Sequence, residues 1–374
     1  MLVLRNYATG RSLRTDPFIL QVLEAFSTWR RVDDYLSGMT AEVRSTAERL
    51  VKGLHAHGWL RKRDDVPDPV EQALDKWGAW NPAAGFFHDA SRSTKFVELE
   101  DHVAHLGRQA ATWPMPAPTK SYADARATRL PNPSARGRFP RILKERRTWR
   151  RFAKRPVDLP ALSTLLHLTA GVQAWVTARG EGRVPLKTAP SGGARHPIEV
   201  YVLARRIRSL DPGIYHYASD RHALERVPGS AAPPAFDDIL PTQSWYRDAA
   251  ALVLFTAVFE RTRWRYRSAR AYRAVLLEAG HVCQTFCLTA TWLGLAPFCS
   301  MAIADARAER TLGLDGVSEA VLYAAGVGSR PALRGGMPGS IAATADTQKK
   351  RRRDGRDRVT SDAGKRGTRE RKRK

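Results

Sequence analysis

The chain has 374 residues, a hydrophobic fraction of 43% and a net charge of +25. That length supports two or three domains around a sizeable core. No run approaches the roughly 20 apolar residues of a membrane span, and the start, MLVLRNYATGRSLRTD, lacks the apolar stretch of a secretion signal. Its three cysteines are too few for a disulfide framework, which fits a reducing cytoplasm.

The charge is unevenly spread. Residues 1–120 carry a net +1, residues 121–331 a net +14 and residues 332–374 a net +10. A basic middle suits a phosphate or an acidic ligand; an Arg-rich proteome produces the same bias. Nucleic acid is expected, if anywhere, only at the basic tail.

In chain order, residues 1–111 read as a small N-terminal unit. Ile19, Leu20, Leu23 and Phe26 recur at helical spacing after Asp16-Pro17. Val43, Ala47, Leu50, Val51 and Leu54 do the same, and Gly58 stops that helix. Trp59-Leu60, a basic run and Asp64-Asp65 suggest a strand and turn, so the unit resembles a winged helix. Its near-neutral charge, with Glu42 and Glu48 on the long helix, favours peptide docking or scaffolding over DNA binding. The aromatic segment 77–89 is expected to pack on the next domain, with Trp59, Trp77 and Trp80 as packing residues. Pro114, Pro116, Pro118, Pro131, Pro133 and Pro140 mark residues 112–140 as a linker.

Residues 141–331 read as one domain mixing helices and strands, α/β or α+β. Asp158 can cap a helix through Leu162, Leu165 and Leu166. Ile198–Ala204, Ala251–Val258 and Glu319–Gly326 are β-rich runs. Gly213–Tyr217 and His222–Val227 suggest a hairpin around Ser219-Asp220. Ala271–Leu293 is a long helix, apolar on two faces, which a dimer interface would bury. Cys283 and Cys287 on it read as small core residues, with no metal site, and His281 as a hydrogen-bonded core histidine. Residues 332–374 are expected to be disordered.

Three segments offer chemistry. In ERRTWRRF, Arg146, Thr148 and Arg150 would share one face of an extended chain, and two guanidinium groups beside a hydroxyl suit a phosphate monoester. A solvated basic face is the plain alternative. In PSGGARHPIE, Pro190, Ser191 and Gly192 precede a strand, and the glycines permit close approach to a flat ligand; a bare Gly-Gly loop is more often a turn. Arg195 and His196 follow, suited equally to structure or to ligand contact. In WRYRSARAYR, Arg265 and Tyr266 can reach a cleft at the start of the long helix, or simply pack there.

Taken in order, these segments resemble the nitroreductase superfamily, in the form found in SagB-type dehydrogenases. The resemblance spans about residues 141–331. It rests on Arg-x-Thr-x-Arg-x-Phe at 146–152, PSGGARHPIEVYVL, the helix AYRAVLLEAGHVCQTFCLTATWLGL, APFCSMAIADARAERTLGLDG, and Gly326-Val327-Gly328 after the last strand. It implies a mixed sheet with helices, a homodimer, and FMN sites built from both chains. Arg146, Thr148 and Arg150 would hold the phosphate and ribityl chain. Pro190, Ser191 and Gly192 would reach the ring from the partner. The Ser300, Met301 and Ala302 backbone would face the ring's other side, and Arg330 would add a phosphate contact. The redox chemistry would then belong to the flavin. Relatives of this type oxidise azoline rings in ribosomally made peptides, alongside other peptide-modifying enzymes, and carry Lys-Tyr before the dimer helix. Here the pair is Arg265-Tyr266, and Arg cannot serve as a base near neutral pH. Ala194 also departs from the Asn common in nitroreductases. A generic NAD(P)H-dependent nitro or quinone reductase, and a degenerate flavin fold that binds nucleic acid or peptide, are the alternatives.

Overall fold

A computed structural model describes residues 2–7, 10–66, 68–92, 99–112, 136–179, 181–228, 233–241 and 244–332. Most of the expected linker (113–135) and the expected disordered tail beyond residue 332 lie outside the described residues.

The chain opens with a hairpin, β1 (Leu2–Asn6) and β2 (Arg11–Thr15). Three helices follow: α1 (Phe18–Ala25), α2 (Val32–Leu36) and α3 (Ala41–Ala56). The hairpin therefore precedes the helices, where a winged helix was expected to place it after them. Trp59 and Leu60 form no strand. Gly58 turns at φ +71°, and the N–H groups of both residues return to the Leu54 carbonyl, closing α3. Ile19, Val22, Val51 and Leu54 form a small core of their own, with Leu4, Leu13 and Trp59 packed on it. Val43 and Leu20, counted as apolar-face positions, are exposed.

The next segment belongs to a different core. Helices α4 (Pro69–Asp75) and α5 (Ala83–Ser91) flank Trp77 and Trp80. Ala73, Leu74, Trp77, Trp80 and Ala84 are buried in the main core of the chain. Trp80 is fully buried and its Nε1 donates to the Tyr266 carbonyl at 2.9 Å. His88 bonds through its two ring nitrogens to the Tyr272 hydroxyl and the Gly316 carbonyl, both at 2.8 Å. The aromatic segment thus packs on the following elements, as expected. Helix α6 (Leu99–Thr112) comes next.

Helix α7 (Arg138–Glu145) begins inside the expected linker. Pro140 is tolerated because first-turn N–H groups have no partner within a helix. Then come β3 (Val157–Asp158), α8 (Leu159–Ala170), β4 (Ala174–Ala178), β5 (Gly182–Leu186), β6 (Ile198–Ala204), β7 (Ile207–Arg208), β8 (Gly213–Ala218) and β9 (Ala223–Arg226). The chain continues with α9 (Phe236–Ile239), β10 (Ala251–Val258), α10 (Phe259–Arg265), α11 (Tyr272–Trp292), β11 (Leu295–Ser300), α12 (Asp305–Leu312) and β12 (Glu319–Ser329). Asp158 occupies the cap position of α8, but its carboxylate pairs with Arg208 at 2.6 Å and makes no cap bond.

Six strands form one sheet in the order β11-β12-β10-β6-β8-β9. Each of its ladders is antiparallel, where a mixed sheet was implied; the parallel pairing described is the short β3–β7 contact. Central β10 is buried on both faces, which explains its unbroken apolar sequence. Ala251, Val253, Phe255 and Ala257 face the core that contains α8 and α11. Leu252 and Leu254 face the core that contains α9 and α12. On β12, a side chain at Gly326 would collide with the Phe298 ring, and a Cβ at Gly328 would lie 2.7 Å from Phe152. These glycines let two aromatic rings approach the strand closely.

Along α11, Val275, Ala279, Val282 and Phe286 are buried, while Leu276, Leu277 and Trp292 are exposed. His281 is exposed as well, not the core histidine expected. Cys283, Cys287 and Ala290 of the second expected face are buried too, whereas Leu276 at its start is not. No helix among the described residues is long and apolar enough to cross a membrane.

Trp80→Ala is expected to cost about 3–5 kcal/mol in urea unfolding, and Trp80→Phe about 1–2 kcal/mol, since it keeps the ring and loses one hydrogen bond. Equal losses would show that the bond to Tyr266, rather than packing, secures the junction. Burial pushes His88 down to about 4, helped by Arg92 and opposed by the Gly316 bond. The unfolded chain gains this proton near pH 6.5, so stability is full above that and falls as pH drops towards 4. The loss amounts to about 3 kcal/mol. His88→Gln should flatten that part of the stability–pH curve; an unchanged curve would exclude His88 as its source.

Candidate functional site

The sheet's antiparallel pairing brings the chemical segments to particular places. After α7 the chain runs extended along β11, with Trp149 N–H donating to the Pro297 carbonyl at 2.9 Å. Arg146, Thr148 and Arg150 are half-buried, whereas Arg147 and Arg151 are exposed and Trp149 is buried. Arg146, Thr148 and Arg150 thus share one degree of burial, while Trp149 breaks the exposed set that Arg147 and Arg151 form. The Arg150 guanidinium lies 5.7 Å from the Trp245 ring centre, beside Tyr246. The Tyr246 hydroxyl donates to Ser300 Oγ at 3.3 Å, and Ser300 Oγ accepts from Ala302 N–H at 3.1 Å. Arg150 thus lies near the Ser300–Ala302 turn through Trp245 and Tyr246, with Met301 strongly exposed.

Arg330 has a different place. Its Nε donates to the Leu295 carbonyl at 2.8 Å and one Nη to the Thr291 carbonyl at 2.9 Å, with the guanidinium over Trp149. It braces the end of α11 against β11, which commits two of its five N–H groups.

The second group forms where β6 and β10 pair. Ile198, at the start of β6, is opposite Ala257, near the end of β10. The loop before β6 and helix α10 after β10 must therefore meet. A Cβ on Gly192 would lie 3.7 Å from the Tyr266 ring. On Gly193 it would lie 2.5 Å from Arg265 Cδ and 2.9 Å from the Tyr266 hydroxyl. Gly193 adopts φ +63°, and Ala194 and His196 follow at +52° and +43°. Such backbone is costly for residues with a Cβ and persists only where surroundings enforce it. Here Ser191 Oγ accepts from His196 N–H at 2.8 Å and closes the loop.

Arg265 and Tyr266 end the separate helix α10, rather than beginning the long one as expected; Ser268 turns the chain before α11 starts. Glu181, at the tip of the β4–β5 hairpin, pairs with both Arg265 and Arg195, the latter at 2.8 Å. The Arg195 guanidinium also stacks 5.4 Å from the Trp264 ring centre. Nothing in the sequence singled out Glu181, because its hairpin carries no strong β pattern.

A cleft of about 680 Å³ opens beside this loop, lined by Lys187, Arg195, His196, Glu199, Arg261 and Trp264 among others. Arg146, Thr148 and Arg150 do not line it. Glu199 is its electrostatic centre, 2.8 Å from His216 Nε2 and 2.5 Å from an Arg261 Nη. Burial raises the Glu199 carboxyl, but the His216 bond and the Arg261 charge outweigh that and hold it below its usual value. The Glu199 bond in turn raises His216, and burial depresses Lys187. His196 faces buried Glu278 of α11 at 3.6 Å, a structural role for that histidine. The sequence reading missed Lys187, Glu199, His216 and Arg261, which meet only across three strands and a helix.

The nitroreductase family model matches residues 143–329. A Methanocaldococcus jannaschii protein named as a nitroreductase is 33% identical over 154 residues, 41% of this chain and 73% of its own length. The trifolitoxin-processing protein TfxB of Rhizobium leguminosarum bv. trifolii is 31% identical over 173 residues, 45% of this chain and 46% of that protein. The microcin B17-processing protein McbC of Escherichia coli is 30% identical over 141 residues, 34% and 48% of the two chains. This chain therefore spans about half the length of those two processing proteins. In fold it is similar to a chain of the E. coli microcin synthetase McbBCD complex with truncated pro-MccB17 bound, at TM-score 0.51 and 19% identity, over 72% of this chain and 100% of that one. The matched region holds the half-buried, extended Arg-x-Thr-x-Arg segment, the strained Pro-Ser-Gly-Gly loop and the central helix, and the chain belongs to the nitroreductase family.

Proposed function

We propose that this nitroreductase-family oxidoreductase is an FMN-dependent, SagB-type dehydrogenase acting on azoline-containing, ribosomally made peptides as a homodimer. The observation that carries the reading is the junction of the Pro190–Gly193 loop with Arg265 and Tyr266 beside a large cleft that charged side chains line. The family generally binds flavin, and two relatives are named for processing peptide toxins.

The donor set fits FMN. Arg146 and Arg150 offer guanidinium groups along an extended segment, with the Thr148 hydroxyl between them, which suits a phosphate and the hydroxyls next to it. The Ser300–Ala302 turn offers backbone to one face of a flat ring. Pro190, Ser191 and Gly192 would reach the ring from the partner, and exposed Leu276, Leu277 and Trp292 on α11 are apolar side chains that such a dimer would cover. When bound, FMN supplies the two-electron redox chemistry. This chain's residues supply position and protons. Arg265, held by Glu181, keeps a fixed positive charge beside the loop. Tyr266, anchored by Trp80 through its carbonyl, can donate a proton or a hydrogen bond to substrate. The N-terminal unit, tied to the main core through the Trp77–Trp80 cluster, would present the peptide.

Purified protein should be yellow and release about one FMN per chain; colourless protein that takes up no added FMN refutes the assignment. Arg146→Ala and Arg150→Ala should each weaken FMN binding by about 10- to 100-fold, the worth of one charge-assisted contact. Tyr266→Phe should retain FMN and lower turnover of an azoline peptide by about 100-fold or more. Full activity in that variant would remove Tyr266 from the chemistry. Turnover of nitroaromatics with NAD(P)H, and none of azoline peptides, would favour the generic reductase.

A further inference from the structure

The chain contains only three cysteines, and all three converge. Cys283 and Cys287 lie four residues apart on α11, hence on one face of the helix. Cys299 lies on β11, which packs against that helix. The three Sγ atoms are within 4.8 Å of one another. In sequence, Cys283 and Cys287 lack a third ligand; the fold delivers it.

We propose that Cys283, Cys287 and Cys299 form a three-thiolate site for a single thiophilic d10 metal ion. Geometry supports this. Three thiolates about 2.3 Å from one metal have sulfurs roughly 3.8–4.0 Å apart, so each sulfur need move by less than about an ångström. The surroundings match the chemistry. Cys283 and Cys287 are buried and Cys299 is half-buried, which leaves an approach from one side. The Tyr323 hydroxyl donates to Cys299 Sγ at 3.6 Å, an outer partner of the kind that orients metal ligands. Sulfur-only ligation selects ions such as zinc(II), cadmium(II) or copper(I) over magnesium or calcium. An ion bound here would pin β11 to α11 one residue before Ser300. The site does not depend on the flavin assignment.

Full-length protein, reduced and stripped with a chelator, is titrated anaerobically with cadmium(II). A sulfur-to-metal charge-transfer absorption should rise and saturate at about one ion per chain. The half-exposed Cys299 thiol should then resist alkylation, read by mass spectrometry against the metal-free protein. Competition by zinc(II) and by copper(I) in separate titrations identifies the class of ion preferred. Cys299→Ser, on the half-exposed strand end, should weaken binding by more than about 100-fold, beyond the cost of losing an outer partner. Cys283→Ala should do the same with its helical circular dichroism retained. Three outcomes would overturn the site. One is the absence of the absorption, with alkylation unaffected by cadmium. Another is an undiminished band in Cys299→Ser. The third is a disulfide in freshly isolated protein that leaves no three free thiols.

Discussion

The burial of β10 on both faces is the constraint on which the rest of this structure depends. A strand with Ala251, Val253, Phe255 and Ala257 on one side and Leu252 and Leu254 on the other must have helices above and below. Those layers fix α11 across one face and the α9–α12 cluster across the other. The neighbours of β10 then set where loops emerge. Antiparallel pairing with β6 puts the Pro-Ser-Gly-Gly loop and the end of α10 at one edge. The β12–β11 ladder carries Cys299 and Ser300 towards Tyr246, Trp245 and Arg150. Neither group of residues has any local reason to assemble.

Electrostatics in this basic chain is managed by a few acidic residues in demanding positions. Glu181 holds Arg195 and Arg265 together, and Glu199 holds His216 and Arg261. Each is substantially buried, so removing either carboxylate would leave like charges facing each other in a weakly screening environment. Glu309 does comparable duty for Arg92, tying the segment after α5 to α12. These pairs keep cations at fixed points around a cleft, where isolated surface arginines would wander in solvent.

The aromatic junction connects the N-terminal part of the chain to the site. Trp77, Trp80 and His88 pack against Phe259 and Tyr272, on either side of the Arg265–Tyr266 turn. The segment with α4 and α5 therefore shares the large core, while the hairpin and first three helices keep a small one. A disturbance of Trp80 reaches the Tyr266 carbonyl directly through one hydrogen bond.

Much of the fold was legible in the sequence because it rests on local periodicity. The apolar runs of β6, β10 and β12 and the doubly apolar α11 stand out from patterning alone, and so does the alternation of Arg146, Thr148 and Arg150. Elements held by long-range pairing did not stand out. The β4–β5 hairpin is mostly exposed, β11 begins at a Leu-Ala-Pro that reads as loop, and Trp59-Leu60 looks extended yet folds back on Leu54. Asp158 has the identity of a helix cap but finds Arg208 instead. Sequence by itself determined the central apolar strands and the long helix, and which segments offer alternating Arg-Thr-Arg donors or a glycine-rich loop, since those depend on residues a few positions apart. Only the tertiary structure decided that Glu181 would clamp Arg265, that Glu199, His216 and Arg261 would share a cleft, and that Cys299 would join Cys283 and Cys287. Such contacts depend on strand order and helix packing, which local spacing does not encode.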